Sequence, residues 1–320
     1  MKEKAARNRT IDFSVEEGSA YLDRCYRAGA DTEPIPLRSI MNQFILGDCF
    51  SVMDRLPRGF VDLLIVDPPY NLAKDYHGNK FNPQSQEDYH KYTVSWVEKV
   101  VPLLKETASI YVCCDWRSSL IIGEVLYHYF KIQNRITWQR EKGRGAKKNW
   151  KNGMEDVWYA TVGKEYTFNL ESVKVRKKVI APYKTEGKPK DWEETEAGNY
   201  RNTCPSNFWD DISIPYWSMP ENTAHPTQKP EKLIAKMILA SSNEGDIVMD
   251  PFAGSGTSAV VAKKLNRNYV VMEQNELYGA WAQKRLEMAE ADSSIQGYHN
   301  GVFWERNTFT EQRKEKEVKR

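Results

Sequence analysis

The sequence has little net charge, no long apolar run and no secretory leader at its start. Its 46 Lys and Arg residues stand against 44 Asp and Glu, which gives a formal net charge of +2. A protein of this balance can bind nucleic acid only if its positive charge is gathered in a local patch. No apolar run approaches the length of a membrane span, and the opening Met-Lys-Glu-Lys is not the apolar start of a secretory signal. These absences predict a cytoplasmic protein with no membrane partner.

Cysteine and histidine are also sparse. The five cysteines are odd in number and form no C-x-x-C pair, which argues against a disulfide framework or a zinc site. The five histidines are scattered and form no H-E-x-x-H motif. We therefore predict no metal site.

The most informative motif is Asp67-Pro68-Pro69-Tyr70, which follows a short apolar run at residues 61–66. Such a run is typical of a strand in the middle of an α/β sheet. Two prolines end the strand because neither can donate to a ladder. A carboxylate, rigid carbonyls and an aromatic ring are then left at the carboxyl edge of the sheet, where open α/β folds bind ligands. This group suits a planar ligand with an amino function, such as a nucleobase.

A second predicted strand, at residues 246–249, leads into a glycine-rich turn and an apolar helix predicted from Ser258 to Leu265. A strand, a glycine turn and a helix present backbone N–H groups to an anionic ligand group. No lysine follows Gly256, so the turn is not an NTPase phosphate loop. Glu273 ends the next predicted strand and is placed to hold ribose hydroxyls. Both a dinucleotide and S-adenosylmethionine would satisfy this pattern.

These two loops occur with a third motif, the segment from His225 to Pro230, which reads His-Pro-Thr-Gln-Lys-Pro. Together and in this order, the three motifs resemble the β group of S-adenosylmethionine-dependent DNA amino-methyltransferases, from about Asn42 to Glu290. The resemblance implies a Rossmann-like methyltransferase fold and S-adenosylmethionine as cofactor. It also implies catalysis at Asp67, Pro68, Pro69 and Tyr70, and a target-recognition region between the catalytic and cofactor loops.

The resemblance also implies a set of cofactor-binding residues in the two halves of the chain. Asp48 would contact the adenine of the cofactor, although a helix cap explains it equally well. Lys229 would meet the methionine carboxylate, with a surface lysine at a helix start as the alternative. Phe252 would pack on the cofactor. The full predicted set is Asp48, Lys229, Asp250, Phe252, Ala253, Gly254, Ser255, Gly256, Thr257 and Glu273.

Residues 140–151 form a basic stretch with six Lys or Arg and one acid. It follows a strand of the predicted catalytic sheet, on the side where ligands bind. Its glycines let the backbone approach a phosphate, and its cations supply salt-dependent attraction. A solvated loop is the alternative. We predict DNA backbone contacts from Arg140, Lys142, Arg144, Lys147 and Lys148.

The pattern along the chain predicts an α/β fold with about seven mostly parallel strands and helices on both faces. Residues 1–40 are predicted to form a helical arm, with a Ser14–Glu17 capping box and one face made by Val15, Tyr21, Leu22 and Tyr26. Residues 164–224 have poor periodicity and mix bases, aromatics and prolines, which favours an irregular insert with a function of its own. The predicted units are the arm (1–40), the catalytic half (41–163), the target-recognition region (164–224), the cofactor half (225–292), and a C-terminal extension with a charged tail (293–320).

We predict from this that the chain is a site-specific DNA adenine-N6 methyltransferase, prokaryotic or phage-encoded. Adenine is preferred over cytosine N4 because, in the family, Asp in the first place of the catalytic motif is commoner in adenine enzymes. Double-stranded DNA is the expected partner, with a cognate restriction endonuclease and a homodimer as further expectations. A nicotinamide oxidoreductase and a non-catalytic DNA-binding relative remain alternatives. Neither explains both the Pro-Pro-Tyr corner and the basic insert.

Overall fold

The computed structural model describes residues 7–29, 32–76, 79–140, 147–179, 184–185, 188–189, 191–195, 198–308 and 311–312. Within these ranges no helix is both long enough and apolar enough to cross a membrane. The helices in chain order are α1 (Val15–Leu22), α2 (Leu37–Ile40), α3 (Cys49–Met53), α4 (Gln86–Val100), α5 (Ser118–Tyr129), α6 (Glu231–Ser241), α7 (Thr257–Lys264) and α8 (Glu276–Ala291).

The strands fall into one large sheet and three smaller ones. In chain order they are β1 (Tyr26–Arg27), β2 (Gln43–Leu46), β3 (Val61–Val66), β4 (Lys74–Tyr76), β5 (Asn79–Phe81), β6 (Leu104–Cys114), β7 (Lys131–Gln139), β8 (Met154–Thr161), β9 (Val175–Lys178), β10 (Lys184–Thr185), β11 (Lys188–Pro189), β12 (Glu193–Thr195), β13 (Gly198–Thr203), β14 (Phe208–Trp209), β15 (Ile247–Asp250), β16 (Asn268–Glu273), β17 (Tyr298–His299) and β18 (Val302–Trp304).

The large sheet has nine strands in the order β1-β2-β16-β15-β3-β6-β8-β7-β14. Neighbouring strands from β1 to β6 are parallel, whereas β8 runs antiparallel to both β6 and β7. The mixed, mostly parallel α/β fold predicted from sequence is thus confirmed. All seven predicted strands are present. The two that were missed, β1 and β14, are two-residue strands at the edges of the sheet.

Alternation along β3 shows how the sheet is buried on both faces. Leu63 and Ile65 pack in the core cluster that includes α6, α7 and α8. Leu64 and Val66 pack in the opposite cluster, with α3, α4 and α5. Because all four side chains are almost fully buried, β3 must cross the centre of the molecule, and the residues that follow it emerge at the carboxyl edge.

One predicted boundary between a helix and a strand is wrong. The sequence pattern predicts that the helix capped by Ser85 extends through Leu104. In the structure α4 ends at Val100, and Leu104 is the first residue of β6. Residues Val101–Leu103 form a 3-10 turn with Pro102 inside it. Proline has no N–H for the helical ladder and clashes with the carbonyl four residues before it, so the helix stops there.

The N-terminal segment is only partly helical. The Ser14–Glu17 capping box is confirmed, and the hydroxyl of Tyr21 on α1 donates to Glu287 on α8 at 3.2 Å. The predicted apolar face is wrong at two positions: Val15 is 85% exposed, and Tyr26 lies on β1. The segment therefore also extends the large sheet at its β2 edge.

The prediction of an irregular insert at residues 164–224 is wrong for the residues of this range that the structure describes, because many of them form strands. Strands β12, β13 and β9 form one five-stranded sheet with β18 and β17 of the C-terminal extension. Arg176 of β9 lies over the rings of Tyr200 (5.2 Å) and Trp304 (5.5 Å), which joins the three strands by cation–π contacts. These strands are short and rich in charge, so they lack the apolar alternation by which strands are recognised in sequence.

Candidate active site

The Asp67–Tyr70 corner and the glycine loop lie at the same edge of the large sheet. Asp67 directly follows β3, and Asp250 ends the neighbouring parallel strand β15. Both border one cavity of about 480 Å³, within the range of about 300–1,000 Å³ that is usual for ligand sites. The predicted residues that line it are Asp48, Asp67, Pro68, Pro69, Tyr70, Arg140, Lys229, Asp250, Phe252, Ala253, Gly254, Ser255, Thr257 and Glu273.

The carboxylate of Asp67 is held by two donors, one on each oxygen. The hydroxyl of Tyr70 donates to Oδ1 at 2.8 Å, and the ammonium of Lys229 donates to Oδ2 at 2.7 Å. Burial, with the charges of Asp67 and Glu155, raises the pKa of Tyr70, so its hydroxyl stays protonated and donates. Asp67 is thus fixed in orientation while its side chain remains 22% exposed toward the cavity.

Lys229 is buried, so the alternative of a surface lysine at a helix start is wrong. It is 8% exposed and precedes α6 by two residues. Burial alone would lower the pKa of Lys229, but the carboxylates of Asp67 and Glu155 raise it overall, which keeps the ammonium charged. Its predicted contact with a methionine carboxylate stays a prediction; the partner that the structure gives it is Asp67.

Glu155 is a site residue that the sequence reasoning missed. It lies on β8, is 4% exposed, and lines the cavity. Its Oε2 is 3.4 Å from the hydroxyl of Tyr70 and 3.6 Å from Nζ of Lys229, and its Oε1 accepts from Arg140. The sequence did carry a signal for it, because Glu155 lies inside a predicted buried strand. A buried charge is rare unless it is paired, so its presence there indicates a partner.

The glycine loop is tied to the surrounding helices by buried hydrogen bonds. The guanidinium of Arg285 on α8 donates to the carbonyl of Ser255 and to Oγ1 of Thr257, both at 2.9 Å. Gly254 has φ +51°, and a Cβ there would lie 2.9 Å from Nε2 of His225. Gly256 does not border the cavity: it caps α7 at φ +76° and faces Ala282. A backbone of this shape requires glycine at both positions.

Glu273 lies at the end of β16, opposite the glycine loop. Its carboxylate accepts from the backbone N–H of Gly254 at 3.0 Å and of Asn275 at 2.9 Å. Burial raises the pKa of Glu273, although these backbone donors oppose the rise. Asp48 lines the same cavity and also caps α3, since its side chain accepts from the N–H of Ser51 at 3.2 Å. The helix-cap interpretation of Asp48 is therefore confirmed, and its role toward a ligand stays a prediction.

Asp250 is a fully buried carboxyl group at the end of β15. It accepts from the hydroxyl of Ser258 at 2.5 Å and from the N–H of Phe252 at 3.0 Å. Burial raises the pKa of Asp250 to about 7, despite these hydrogen bonds. Near neutral pH the group therefore gains or loses its proton inside the cavity wall next to the glycine loop.

We expect this raised pKa to appear in the pH dependence of stability. A carboxyl whose pKa is higher in the folded state binds more protons when folded, so the free energy of unfolding falls as pH rises from about 4 to about 7. Asp250→Asn removes the titration and should leave Ser258 and Phe252 with partners. Urea unfolding across this range should show the wild type losing stability relative to Asp250→Asn as pH rises. A constant difference between the two proteins would contradict the assignment.

Of the five predicted DNA-contacting residues, one lines the cavity, two are exposed, and two lie outside the described residues. Arg140 points into the cavity wall, where it pairs with Glu155. Lys147 and Lys148 are exposed, and Trp150 beside them is 94% exposed. Lys142 and Arg144 lie outside the described residues. In the described part of the chain, no group of three or more His, Cys, Asp or Glu side chains is arranged to hold a metal ion.

Comparison with known proteins matches the same region of the chain. A family model described as DNA methylase covers residues 61–284, which include both the corner and the glycine loop. The type II methyltransferase M.HpaI of Haemophilus parainfluenzae is 34% identical over 261 residues, 80% of this chain and 76% of its own. The DNA adenine methyltransferase YhdJ of Escherichia coli strain K12 is 32% identical over 264 residues, 80% of this chain and 86% of its own.

Solved structures share the fold. The PvuII DNA methyltransferase, described as cytosine-N4-specific, superimposes with a TM-score of 0.57 at 16% identity, covering 78% of this chain and 92% of its own. A complex of M1.HpyAVI with SAM superimposes with a TM-score of 0.52 at 23% identity, covering 76% of this chain and 98% of its own. At these identities the likeness is one of architecture.

Proposed function

The chain belongs to the DNA methylase family, and from this premise we propose that it transfers a methyl group from S-adenosylmethionine to the N6 amino group of adenine in double-stranded DNA, at a specific sequence. The observation that carries the proposal is the single cavity bordered by the Asp67–Tyr70 corner and the glycine loop. One side offers a carboxylate for an amino group, and the other offers a site for an anionic, ribose-bearing cofactor.

The residues on the cofactor side fit S-adenosylmethionine by their chemistry. Glu273 is a half-buried acceptor for ribose hydroxyls, and Asp48 lines the same cavity as an acceptor for an adenine amino group. Gly254 has no side chain and so leaves space in the cavity wall. A Cβ at this position would clash with His225. Phe252 packs edge-on to Trp96 with ring centroids 6.4 Å apart, which fixes its ring beside the loop. When bound, the cofactor supplies an activated methyl group.

The residues on the substrate side fit an exocyclic amine. The amine is a weak nucleophile because its lone pair is delocalised into the ring of the base. Asp67 accepts one N–H and the carbonyl of Pro68 accepts the other, which turns the lone pair out of the ring plane and toward the methyl group. The new N–C bond forms as the S–C bond breaks, sulfur keeps that electron pair, and one N–H proton passes to Asp67. Alignment of this kind contributes roughly 7–11 kcal/mol at its upper end.

The target base must leave the duplex to reach this cavity. Rotation of the base out of the stack costs a few kcal/mol. Stacking of the flipped base on the ring of Tyr70 offsets about 1–3 kcal/mol of this cost. The hydrogen bond from Tyr70 to Asp67 holds that ring beside the carboxylate. Tyr70 therefore aligns the base and Asp67 grips its amino group.

Lys147 and Lys148 support a DNA interface next to the cavity. Both are exposed and follow β7 in the chain. Arg140, the residue directly after β7, lines the cavity. Exposed lysines in such a place suit salt-dependent contact with phosphates. We propose the same role for Lys142 and Arg144, and for Arg140, whose guanidinium also pairs with Glu155. We also propose that the protein has a cognate endonuclease as its functional partner, as a type II methyltransferase would. We expect it to work in the cytoplasm of a prokaryote and to form a homodimer.

Adenine is preferred over cytosine on two grounds. The corner begins with Asp67, which resembles the adenine members, and the relative YhdJ is named an adenine methyltransferase. The chemistry of the corner is the same for cytosine N4, so the product itself must be identified.

We expect purified protein to move a tritium-labelled methyl group from S-adenosylmethionine to unmethylated duplex DNA. Digestion to nucleosides should give N6-methyldeoxyadenosine, because Asp67 in the first place of the motif and the similarity to YhdJ both favour adenine. N4-methyldeoxycytidine would move the proposal to the cytosine enzymes. Transfer to RNA or protein but not to DNA would refute it. Sequencing of the modified DNA would then give the recognised sequence.

A further inference from the structure

Glu155 is a buried carboxylate inside the proposed active site that the mechanism above does not use. It is 4% exposed, and its side chain reaches the ammonium of Lys229, the hydroxyl of Tyr70 and the guanidinium of Arg140. The first two of these groups are the donors that also hold Asp67. Glu155 and Asp67 therefore share their partners.

The shared partners create a conflict at Asp67. Both of its oxygens already accept strong hydrogen bonds, at 2.7 Å from Lys229 and 2.8 Å from Tyr70. A carboxylate oxygen can accept a second hydrogen bond, but the amino group of a target base would then compete with the ammonium of Lys229 for the negative charge on Asp67. Both donors have Oε2 of Glu155 as a second acceptor, 3.4 Å from the hydroxyl of Tyr70 and 3.6 Å from Nζ of Lys229, but only the ammonium carries a charge that needs a counter-ion when it leaves Asp67.

We infer that Glu155 is a positioning residue for methyl transfer: it is the second counter-ion of Lys229 and draws the ammonium off Asp67 when the base binds. This inference rests on the proposed function. A buried ammonium with no counter-ion is costly. Without Glu155, Lys229 would have Asp67 as its only carboxylate partner within 4 Å among the described residues and would compete with the substrate for it.

The need for a second counter-ion is greatest at the end of the reaction. The proton lost by the amine neutralises Asp67, and Lys229 then faces a neutral carboxyl group. Glu155 is held in place by Arg140 through its other oxygen and faces Lys229 with Oε2. Lys229 thus stays neutralised throughout the cycle.

Glu155→Gln tests the inference because it removes the charge and keeps the shape. Without the negative charge of Glu155, Lys229 stays paired with Asp67 when the base binds, and the carboxylate is less available to the amine. The charged and titratable groups around Asp67 that stay in place in this variant are Tyr70, Cys113, Arg140, Lys229 and Asp250.

We expect Glu155→Gln to slow methyl transfer without weakening the binding of S-adenosylmethionine. In single-turnover transfer with saturating S-adenosylmethionine and a duplex carrying the mapped site, the rate should fall about tenfold or more. A thermal-shift titration with S-adenosylmethionine should match that of the wild type. A merely loosened site would lower both the rate and the affinity for S-adenosylmethionine.

Asp156→Asn is the matched control. Asp156 is the next residue on β8, is 2% exposed, and pairs with Arg135 of β7 at 3.5 Å, as Glu155 pairs with Arg140. It does not border the cavity, so transfer should stay within about twofold of the wild type. Glu155→Asp keeps the charge and should retain a transfer rate near that of the wild type, which tests the inference even if Glu155→Gln fails to fold.

The results separate the inference from the proposed function. A wild type that methylates DNA, with the transfer rate of Glu155→Gln unchanged, overturns the inference alone. So does a loss of rate in Asp156→Asn or in Glu155→Asp equal to that in Glu155→Gln. A wild type that transfers no methyl group to DNA overturns both.

Discussion

Replacing Asp67 with alanine is expected to stop methyl transfer while the protein still binds S-adenosylmethionine. The carboxylate accepts the N–H of the amine and its departing proton, and general base contributions alone are worth about 10²–10⁴ in rate. Loss of alignment adds to this. Single-turnover transfer to duplex DNA measures the effect.

The same variant should keep its cofactor, because the side chain of Asp67 does not hold the glycine loop. That loop is fixed by Arg285, Asp250 and Ser258. Lys229 remains paired through Glu155 at 3.6 Å. A thermal-shift titration with S-adenosylmethionine should therefore match the wild type.

Asp54→Ala serves as the control for removing an aspartate, since this side chain is 60% exposed and pairs with Lys99 away from the cavity. It should leave transfer unchanged. Full activity in Asp67→Ala would show that the corner is not the catalytic group, whatever the family match.

The parts of the site that the sequence predicted are those encoded within a few neighbouring residues. Asp67–Tyr70 and the glycine loop each follow a strand whose apolar run marks its end, so their place at the sheet edge could be inferred. Parallel neighbours bring such ends together, and β3 and β15 are neighbours. The cavity follows from this topology.

The parts that were missed depend on pairs far apart in the chain. Lys229 meets Asp67 across 162 positions, and no local pattern distinguishes that contact from a surface lysine. Glu155 joins them from an antiparallel strand whose place in the sheet is set by tertiary pairing. The sheet of the insert is similar: β9 pairs with β18, more than a hundred residues later. Such contacts are decided by packing and charge neutralisation in three dimensions, not by periodicity.

Gly256→Ala is expected to destabilise the fold and weaken binding of S-adenosylmethionine together. The residue has φ +76°, and a Cβ would lie 2.6 Å from Cβ of Ala282. The left-handed backbone alone costs about 1–2 kcal/mol for a residue with a side chain. Forcing a methyl group into the packed contact with α8 adds about 1–3 kcal/mol. The helix α7 and the loop before it must shift to relieve the contact.

Gly245→Ala separates these two costs. Gly245 has φ +85°, but a Cβ there would meet nothing within 4 Å. Alanine at this position should therefore show only the backbone cost in urea unfolding, and its affinity for S-adenosylmethionine, measured by calorimetry, should equal that of the wild type. Gly256→Ala should lose more stability than Gly245→Ala and, unlike it, bind the cofactor more weakly. Equal losses in both variants would mean that the contact with Ala282 relaxes without moving the loop, and that the close packing of α7 on α8 does not shape the cofactor site.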